Sequence, residues 1–374
     1  MLTPSFFVEL LRKNGVDFFA GVPDSLLKNI CAYITDHIPV QNNIIAANEG
    51  SAVALATGHY LATQKIPLVY MQNSGIGNAV NPLLSLVDKE VYHIPMVLLI
   101  GWRGEPNVKD EPQHIKQGKV TLPLLETMGI KYSILTLDEI CAEKQLLEAL
   151  AYVRESGKPF AFVVKKDTFS EYNLSKEVSS GFSLTREEAV QLVASSIEER
   201  DIVVATTGMI SRELFEYREF QNQSHEKDFL TVGSMGHASQ IALGIALEKK
   251  DRKVYCFDGD GAVIMHLGAL AIAGSLKPDN YIHVVFNNGA HDSVGGQPTV
   301  GQKVNIPQIA LACGYHTAWS VNDRQALVQS LKEIKSAKLP VLLEINVRKG
   351  ARKNLGRPTT TPIENKEFFM HYLR

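Results

Sequence analysis

The sequence of 374 residues lacks several features that would point to particular classes of protein. Its four cysteines are widely spaced, without the spacing of a zinc or redox motif, which predicts free thiols and a reducing compartment such as the cytoplasm. It has no apolar run of about 18 residues or more, so we expect no transmembrane helix. The formal net charge of only −2 argues against nucleic acid or a membrane surface as a partner.

What the chain does contain is an alternation of apolar strands and helices that continues through both halves. This order predicts an α/β fold made of two doubly wound parallel-sheet domains. We place the first domain at residues 1–167, a polar linker at 168–183 and the second domain at 184–374. Thr185 and Glu188 form a capping-box pattern, which predicts that a helix opens the second domain.

Polar or glycine-containing loops follow three predicted strands of the first half, at residues 21–25, 48–50 and 72–78. Because the carboxyl ends of parallel strands meet at one edge of a sheet, we expect these loops to cluster. Residues 101–119 are charged and contain proline, and we interpret this fourth stretch as a longer loop.

The most informative stretch is residues 254–288, where two apolar runs flank a segment of small and apolar residues. The first run leads into Gly259-Asp260-Gly261 and the second into Asn287-Asn288, with 25 residues between the two motifs. This order predicts a strand–helix–strand unit with a carboxylate and glycine amides at the helix N-terminus. Hard oxygen ligands at such a place suit Mg²⁺ bound to a diphosphate.

Three interpretations of this stretch compete. In an ordinary strand–helix unit, the glycines would serve tight turns and the asparagines would serve capping. Residues 257–261 also resemble the first motif of haloacid-dehalogenase-type phosphatases, with Asp258 as the nucleophile, although that motif usually opens its fold. In the third interpretation, Gly-Asp-Gly and Asn-Asn at this spacing resemble the motif that binds thiamin diphosphate.

Over almost its whole length, the chain resembles the thiamin diphosphate-dependent 2-oxo acid decarboxylases. The resemblance implies a pyrimidine-binding first domain and a diphosphate-binding second domain, without the middle domain of pyruvate decarboxylase and acetolactate synthase. The short layout and the ending LGRPTTTPIENK resemble the branch that decarboxylates 3-phosphonopyruvate to phosphonoacetaldehyde in phosphonate biosynthesis, with sulfopyruvate as the alternative substrate. We therefore expect a lyase that needs thiamin diphosphate and Mg²⁺ and works as a homodimer or larger homo-oligomer, with active sites between subunits.

The resemblance also assigns residues to the cofactor. The side chains of Asp260 and Asn288 and the carbonyl of Ala290 would hold Mg²⁺. Met235 would support the bent cofactor and Glu49 would hydrogen-bond the pyrimidine N1′, although on the residues alone Met235 could fill a core and Glu49 could serve a helix dipole. The other expected cofactor contacts are Thr207, Gly208, Met209, Gly233, Gly261 and Ala262.

Proton transfer near the substrate has several candidates besides Glu49. Asp24 matches an early acidic residue of the decarboxylases, but it could equally cap the helix that follows. His114 is a comparable candidate, or a solvated loop histidine. Pyruvate decarboxylase has a glutamate six residues beyond its second asparagine, where this chain has Val294. The residues that could compensate are His291, Asp292 and Ser293.

A phosphonate substrate should meet a cation, and the sequence does not choose among the basic residues of the 101–119 stretch and the tail. The candidates are Arg103, Lys109, Lys116, Lys119, Arg348, Lys349, Arg352, Lys353 and Arg357.

Overall fold

The computed structural model describes residues 1–175 and 181–374. The chain divides into two compact units, Met1–Glu177 and Val178–Arg374, each built on a six-stranded sheet whose paired strands all run parallel. The division falls inside the predicted linker, of which residues 176–180 lie outside the described part of the chain. No helix in the described ranges combines the length and apolar character that a membrane span requires.

The first unit alternates strands and helices from its first residues onward. Its strands are β1 (Phe19–Gly21), β2 (Asn43–Ile45), β3 (Leu68–Gln72), β4 (Val97–Gly101), β5 (Lys131–Ile134) and β6 (Phe160–Val164). Its helices are α1 (Pro4–Lys13), α2 (Lys28–His37), α3 (Glu49–Thr63), α4 (Ile76–Pro82), α5 (Pro112–Thr127) and α6 (Glu139–Ser156). The strand order is β2-β1-β3-β4-β6-β5, and the buried strands β4 and β6 are apolar throughout because helices cover both faces of the sheet.

The second unit repeats this architecture. Its strands are β7 (Ile202–Ala205), β8 (Asp228–Leu230), β9 (Val254–Gly259), β10 (Tyr281–Asn287), β11 (Thr317–Val321) and β12 (Val341–Asn346). Its helices are α7 (Arg186–Ser196), α8 (Met209–Phe220), α9 (Ala238–Glu248), α10 (Asp260–Met265), α11 (Gly268–Leu276), α12 (Ile306–Cys313), α13 (Arg324–Ile334) and α14 (Pro362–Tyr372). The strand order is β11-β12-β10-β9-β7-β8, so both units confirm the predicted doubly wound parallel sheets.

The prediction of a long loop at residues 101–119 is wrong from residue 112 onward, because helix α5 begins there. Pro112 occupies the first turn of the helix, where its missing N–H costs nothing. The buried side of α5 carries His114, Gly118 and Thr121, with Leu125 one turn further on. Because three of these four residues are not apolar, the sequence shows no hydrophobic stripe at this helix.

The start of the predicted linker packs onto the first unit. The Leu2 N–H donates to the Thr168 carbonyl at 2.9 Å, and the Ser170 N–H donates to the Leu2 carbonyl at 2.8 Å. Phe169 is buried, with its ring centroid 5.6 Å from that of Phe7. The first residues of the linker are therefore part of the folded unit.

Strands β9 and β10 place the two motifs at one edge of the second sheet. The register pairs Phe286 with Gly259, so the carboxyl ends of both strands stop side by side. Beyond β9 the single helix expected from the sequence is two helices, α10 and α11, which are separated at His266 and Leu267. The predicted capping box that opens α7 is present, with Thr185 and Glu188 each bonding the other's backbone.

Candidate active site

Asp260 is a buried carboxylate at the N-terminus of α10, with 2% of its surface exposed. Burial raises the pKa of this carboxyl to about 6, although the Thr299 hydroxyl donates a hydrogen bond to Oδ2. The backbone at residue 301 can approach Asp260 closely because this residue is a glycine. A Cβ at that position would lie 2.3 Å from Asp260 Oδ2. A cation at this carboxylate would offset the cost of burying its charge.

The two asparagines after β10 have different roles. The Asn287 amide is structural, since it donates to the Gly301 carbonyl at 3.0 Å and to Glu344 Oε1 at 2.8 Å. Asn288 Oδ1 accepts the Ala290 N–H at 3.1 Å, and an amide oxygen has a second lone pair. Asp260, Asn288 and Ala290 therefore offer the hard oxygen donors that a magnesium ion needs.

Two predicted cofactor residues, Gly261 and Met235, meet the proton-transfer candidate His291 at the start of α10. A Cβ built on Gly261 would lie 3.1 Å from His291 Cε1 and 3.5 Å from Met235 Cε. Met235 is half-buried and lies in the turn before α9, so it does not fill a core as the alternative interpretation held. Burial lowers the pKa of His291 to about 4, so its imidazole is neutral at neutral pH.

The loop between β7 and α8 lies next to the segment that follows Asn288. Gly208 has a φ of +103°, and a Cβ at this position would lie 3.7 Å from Ser293 Oγ. Thr207 and Met209 flank Gly208 and are half-buried. The remaining predicted cofactor residues also lie at this sheet edge or beside it: Ala262 in α10, and Gly233 between β8 and α9.

A buried ion network that the sequence did not reveal holds Asn288 in place. Asp292 Oδ2 accepts hydrogen bonds from Asn288 Nδ2 at 2.7 Å, from an Arg186 guanidinium nitrogen at 2.8 Å and from the Gly350 N–H at 3.0 Å. Arg186 is 4% exposed and also forms a two-pronged ion pair with Glu213, at 3.0 and 2.9 Å. The Asp292 carboxylate therefore positions its neighbours, which leaves it poorly suited to replace the missing glutamate as a proton donor.

Asp258 does not have the environment that the phosphatase interpretation requires. The residue is fully buried, and Oδ1 accepts the Gly259 N–H at 3.0 Å. Oδ2 lies 3.4 Å from Nε2 of the buried His283. A nucleophilic carboxylate needs an open face for its substrate, and this one is enclosed within the sheet.

In the first unit, Glu49 is buried at the N-terminus of α3, with 5% of its surface exposed. Its Oε2 accepts a hydrogen bond from Asn78 Nδ2 at 2.7 Å, and a Cβ on Gly75 would lie 2.3 Å from Oε1. Asn48 already caps the helix by accepting the Ser51 N–H. A carboxylate that served only the helix dipole would stay in water, so its burial favours a functional role.

Asp24 lies at the same edge of the first sheet and is 0% exposed. Burial raises the pKa of its carboxyl, although Gln72 Nε2 donates to Oδ1 at 2.6 Å and the Leu26 N–H donates to Oδ2 at 2.9 Å. Helix α2 begins at Lys28, so Asp24 is not its N-cap. Because the 72–78 loop contacts both Asp24 and Glu49, the predicted clustering of the three loops is confirmed.

His114 is not the solvated loop histidine of the alternative interpretation. It lies in the first turn of α5 and is 8% exposed. Its backbone is closely packed, since a Cβ on Gly104 would lie 1.9 Å from the His114 carbonyl oxygen.

Two doubly wound units, one with a diphosphate-type site and the other with a buried carboxylate, define the class of thiamin diphosphate enzymes. Comparisons with known proteins give the same class. Residues 3–122 match the model of the thiamine pyrophosphate enzyme N-terminal TPP binding domain, and residues 206–345 match the C-terminal TPP binding domain. The chain therefore belongs to the thiamine pyrophosphate enzymes, thiamine pyrophosphate being another name for thiamin diphosphate.

Relatives of similar length extend this finding. Phosphonopyruvate decarboxylase from Streptomyces viridochromogenes is 34% identical, over 97% of this chain and 93% of that protein. Phosphonopyruvate decarboxylase from Streptomyces hygroscopicus is 32% identical, over 100% of this chain and 94% of that protein. Sulfopyruvate decarboxylase from Methanosarcina acetivorans is 27% identical, over 96% of this chain and 95% of that protein. The family, fold and thiamin diphosphate cofactor predicted from the sequence are thus confirmed.

Proposed function

We propose that this chain decarboxylates 3-phosphonopyruvate to phosphonoacetaldehyde and carbon dioxide, using thiamin diphosphate and Mg²⁺. The observation that carries the proposal is the similarity to two phosphonopyruvate decarboxylases along nearly the whole chain. The geometry supports the chemistry, because the buried carboxylate of Asp260 and the neutral imidazole of His291 lie beside the helix N-terminus at Gly261.

The residues at the edge of the second sheet fit the cofactor's charged end. Asp260, Asn288 and the Ala290 carbonyl would hold Mg²⁺, and the amides of Gly261 and Ala262 would face the diphosphate oxygens. When bound, thiamin diphosphate supplies a nucleophilic carbon and an electron sink for the loss of carbon dioxide.

The chain's own side chains would orient the cofactor and move protons. Glu49 would hold a proton at the pyrimidine N1′, and its position is fixed by Asn78 and by the space at Gly75. Each turnover consumes one proton, because the carboxylate leaves as carbon dioxide and an aldehyde hydrogen replaces it. Asp24, whose carboxyl pKa is raised by burial, could carry that proton, and His114 and His291 are the other candidates.

The test compares carbon dioxide release from phosphonopyruvate, sulfopyruvate and pyruvate, with and without thiamin diphosphate and Mg²⁺. We expect the highest kcat/KM with phosphonopyruvate and no turnover when thiamin diphosphate and Mg²⁺ are removed. We also expect Glu49→Gln to lose most of its activity. A higher kcat/KM for sulfopyruvate would favour the second candidate function, which the sulfopyruvate decarboxylase relative supports. Activity that persists after removal of both cofactors would overturn the mechanism.

A further inference from the structure

The basic residues that the sequence left open as partners of the substrate anion differ in their surroundings. Arg103 forms an ion pair with Asp110 at 2.5 Å, and Arg352 pairs with Glu187 at 2.9 Å. Those guanidinium groups are already neutralised by carboxylates. Six other candidates are exposed to water, which weakens their hold on an anion: Lys109, Lys116, Lys119, Arg348, Lys353 and Arg357.

Lys349 differs from all of these residues. It is half-buried, and within residues 1–175 and 181–374 no carboxylate forms an ion pair with its ammonium group. A cation that is partly removed from water and lacks a carboxylate partner leaves its positive potential available to an anionic ligand.

The ammonium group of Lys349 lies against the segment that carries His291. A Cβ built on Gly296 would lie 2.9 Å from Lys349 Cε and 3.0 Å from Nζ. The Gly296 N–H donates to the His291 carbonyl at 2.9 Å, and the His291 ring lies over Gly261. Three successive contacts, through Gly296 and His291 to Gly261, therefore connect Lys349 with the helix N-terminus of the candidate active site.

The backbone around Lys349 is fixed by hydrogen bonds to the same site. The neighbouring Gly350 N–H donates to Asp292 Oδ2, the oxygen that also accepts from Asn288. On the other side, the Arg348 N–H donates to the Leu184 carbonyl at 2.8 Å. This segment is thus held in a defined position relative to Asn288.

We propose that Lys349 is a specificity-determining residue that binds the tetrahedral oxyanion on C3 of the substrate, a phosphonate or a sulfonate. The inference rests on the proposed function, which supplies such a substrate. A lysine ammonium is a compact charge with three donors and can bind oxygens of a tetrahedral anion without a planar geometry. Pyruvate has a methyl group at that place and gains nothing from Lys349.

The test replaces the charge and keeps the chain length in Lys349→Met. We expect kcat/KM for phosphonopyruvate to fall about 10- to 100-fold, mainly through KM. We expect turnover of pyruvate and the Kd of thiamin diphosphate to stay unchanged. Phosphonoacetate, an unreactive phosphonate, should inhibit the variant more weakly by a similar factor.

Two further variants serve as controls. Lys353→Met removes an exposed lysine from the same tail and should leave every constant unchanged, and Lys349→Arg should restore part of the loss in KM. Equal losses for phosphonopyruvate and pyruvate, or a weaker Kd for thiamin diphosphate, would overturn the proposal. If the wild-type enzyme prefers sulfopyruvate, the proposed phosphonate substrate is wrong. A similar rise in KM for sulfopyruvate in Lys349→Met would then still support the proposal that Lys349 binds the oxyanion on C3.

Discussion

Each of three buried acids at the candidate sites is packed against a glycine. A Cβ would lie 2.3 Å from Glu49 Oε1 at Gly75, 2.1 Å from Asp24 Oδ2 at Gly101, and 2.3 Å from Asp260 Oδ2 at Gly301. Real Cβ contacts are not this short, so the missing side chain of the glycine defines the space in which the carboxylate lies.

The pair of Gly75 and Glu49 gives a direct test. We expect Gly75→Ala to displace the Glu49 carboxylate and lower kcat by about 10- to 1,000-fold, because a general acid–base group would be misplaced. The fold should be retained, since a flexible side chain can move aside. Steady-state kinetics and a thermal melt check both expectations.

Gly77→Ala is the matched control, because a Cβ at that exposed helical position would meet no tertiary neighbour within 4 Å among the described residues. Unchanged kinetics in Gly75→Ala would show that the position of Glu49 is unimportant for turnover.

The buried carboxyl of Asp24 predicts a pH-dependent stability. Its pKa in the folded protein is raised above the ordinary value of 3.8, because burial disfavours the charged form. The stabilising contribution of this group is complete below pH 3.8 and is lost as the pH rises through the folded pKa. Asp24→Asn should therefore gain stability relative to the wild type as the pH rises.

Thermal melts of the two proteins from acidic to neutral pH measure this difference. Asp279→Asn, at an exposed aspartate, should show no such trend. A constant difference between Asp24→Asn and the wild type over the whole range would contradict the raised pKa.

At the scale of elements, helix α14 protects the edge of the second sheet. Asn365 Oδ1 accepts the N–H of Leu230 at 3.1 Å, and Nδ2 donates to the carbonyl of Asp228 at 2.9 Å. Strand β8 is the last strand of its sheet, so these backbone groups would otherwise be exposed to another strand.

Asn365→Leu should lower the free energy of unfolding by about 2 to 4 kcal/mol, because it leaves two buried backbone groups without a partner. Chemical denaturation measures the loss, and light scattering should show more aggregation on heating. Lys366→Gln, at the exposed neighbouring position, is the control. Equal stability of Asn365→Leu and the wild type would rule out this role for α14.

The sequence predicted those elements whose pattern is local. The strand–helix–strand unit of residues 254–288 is marked by two motifs and two apolar runs, and the structure confirms it apart from the break at His266. Helix α14 was missed because the tail looked basic and contains proline, although Thr361 and Glu364 form a capping box. Its anchor, Asn365, binds a strand more than 130 residues earlier in the chain, and no local pattern reveals such a pair.

The same distinction applies to the site. Asp260, Asn288 and Glu49 could be proposed from motifs, whereas the partners that position them could not. Arg186 meets Asp292 across 106 residues, and Asn78 meets Glu49 across 29.

At the scale of the whole molecule, apolar side chains are exposed on several helices, among them α3 of the first unit and α11 of the second. Leu55 and Leu61 of α3 are 41% and 68% exposed, and Ile272 and Leu276 of α11 are 50% and 52% exposed. Contiguous apolar surface is typical of faces that bind a partner. The homo-oligomer that the resemblance implies, in which Glu49 of one subunit would serve Asp260 of another, would remove part of this apolar surface from water.

Subunit mixing tests this proposal. Glu49→Gln and Asp260→Ala should each lose most of their activity alone. Exchange of their subunits should restore about a quarter of the wild-type activity if one intact site forms in each mixed dimer. Each variant mixed with itself is the control. Sites made within a single chain would give no recovery.

The three hydrogen bonds on Asp292 Oδ2 have a consequence for amide hydrogen exchange. Gly350 donates its N–H to the oxygen that also holds Asn288, although its own backbone is exposed to solvent. Exchange at this amide requires that hydrogen bond to open. The deuterium uptake of one residue in the tail therefore reports how firmly Asn288 is held, without any substrate present.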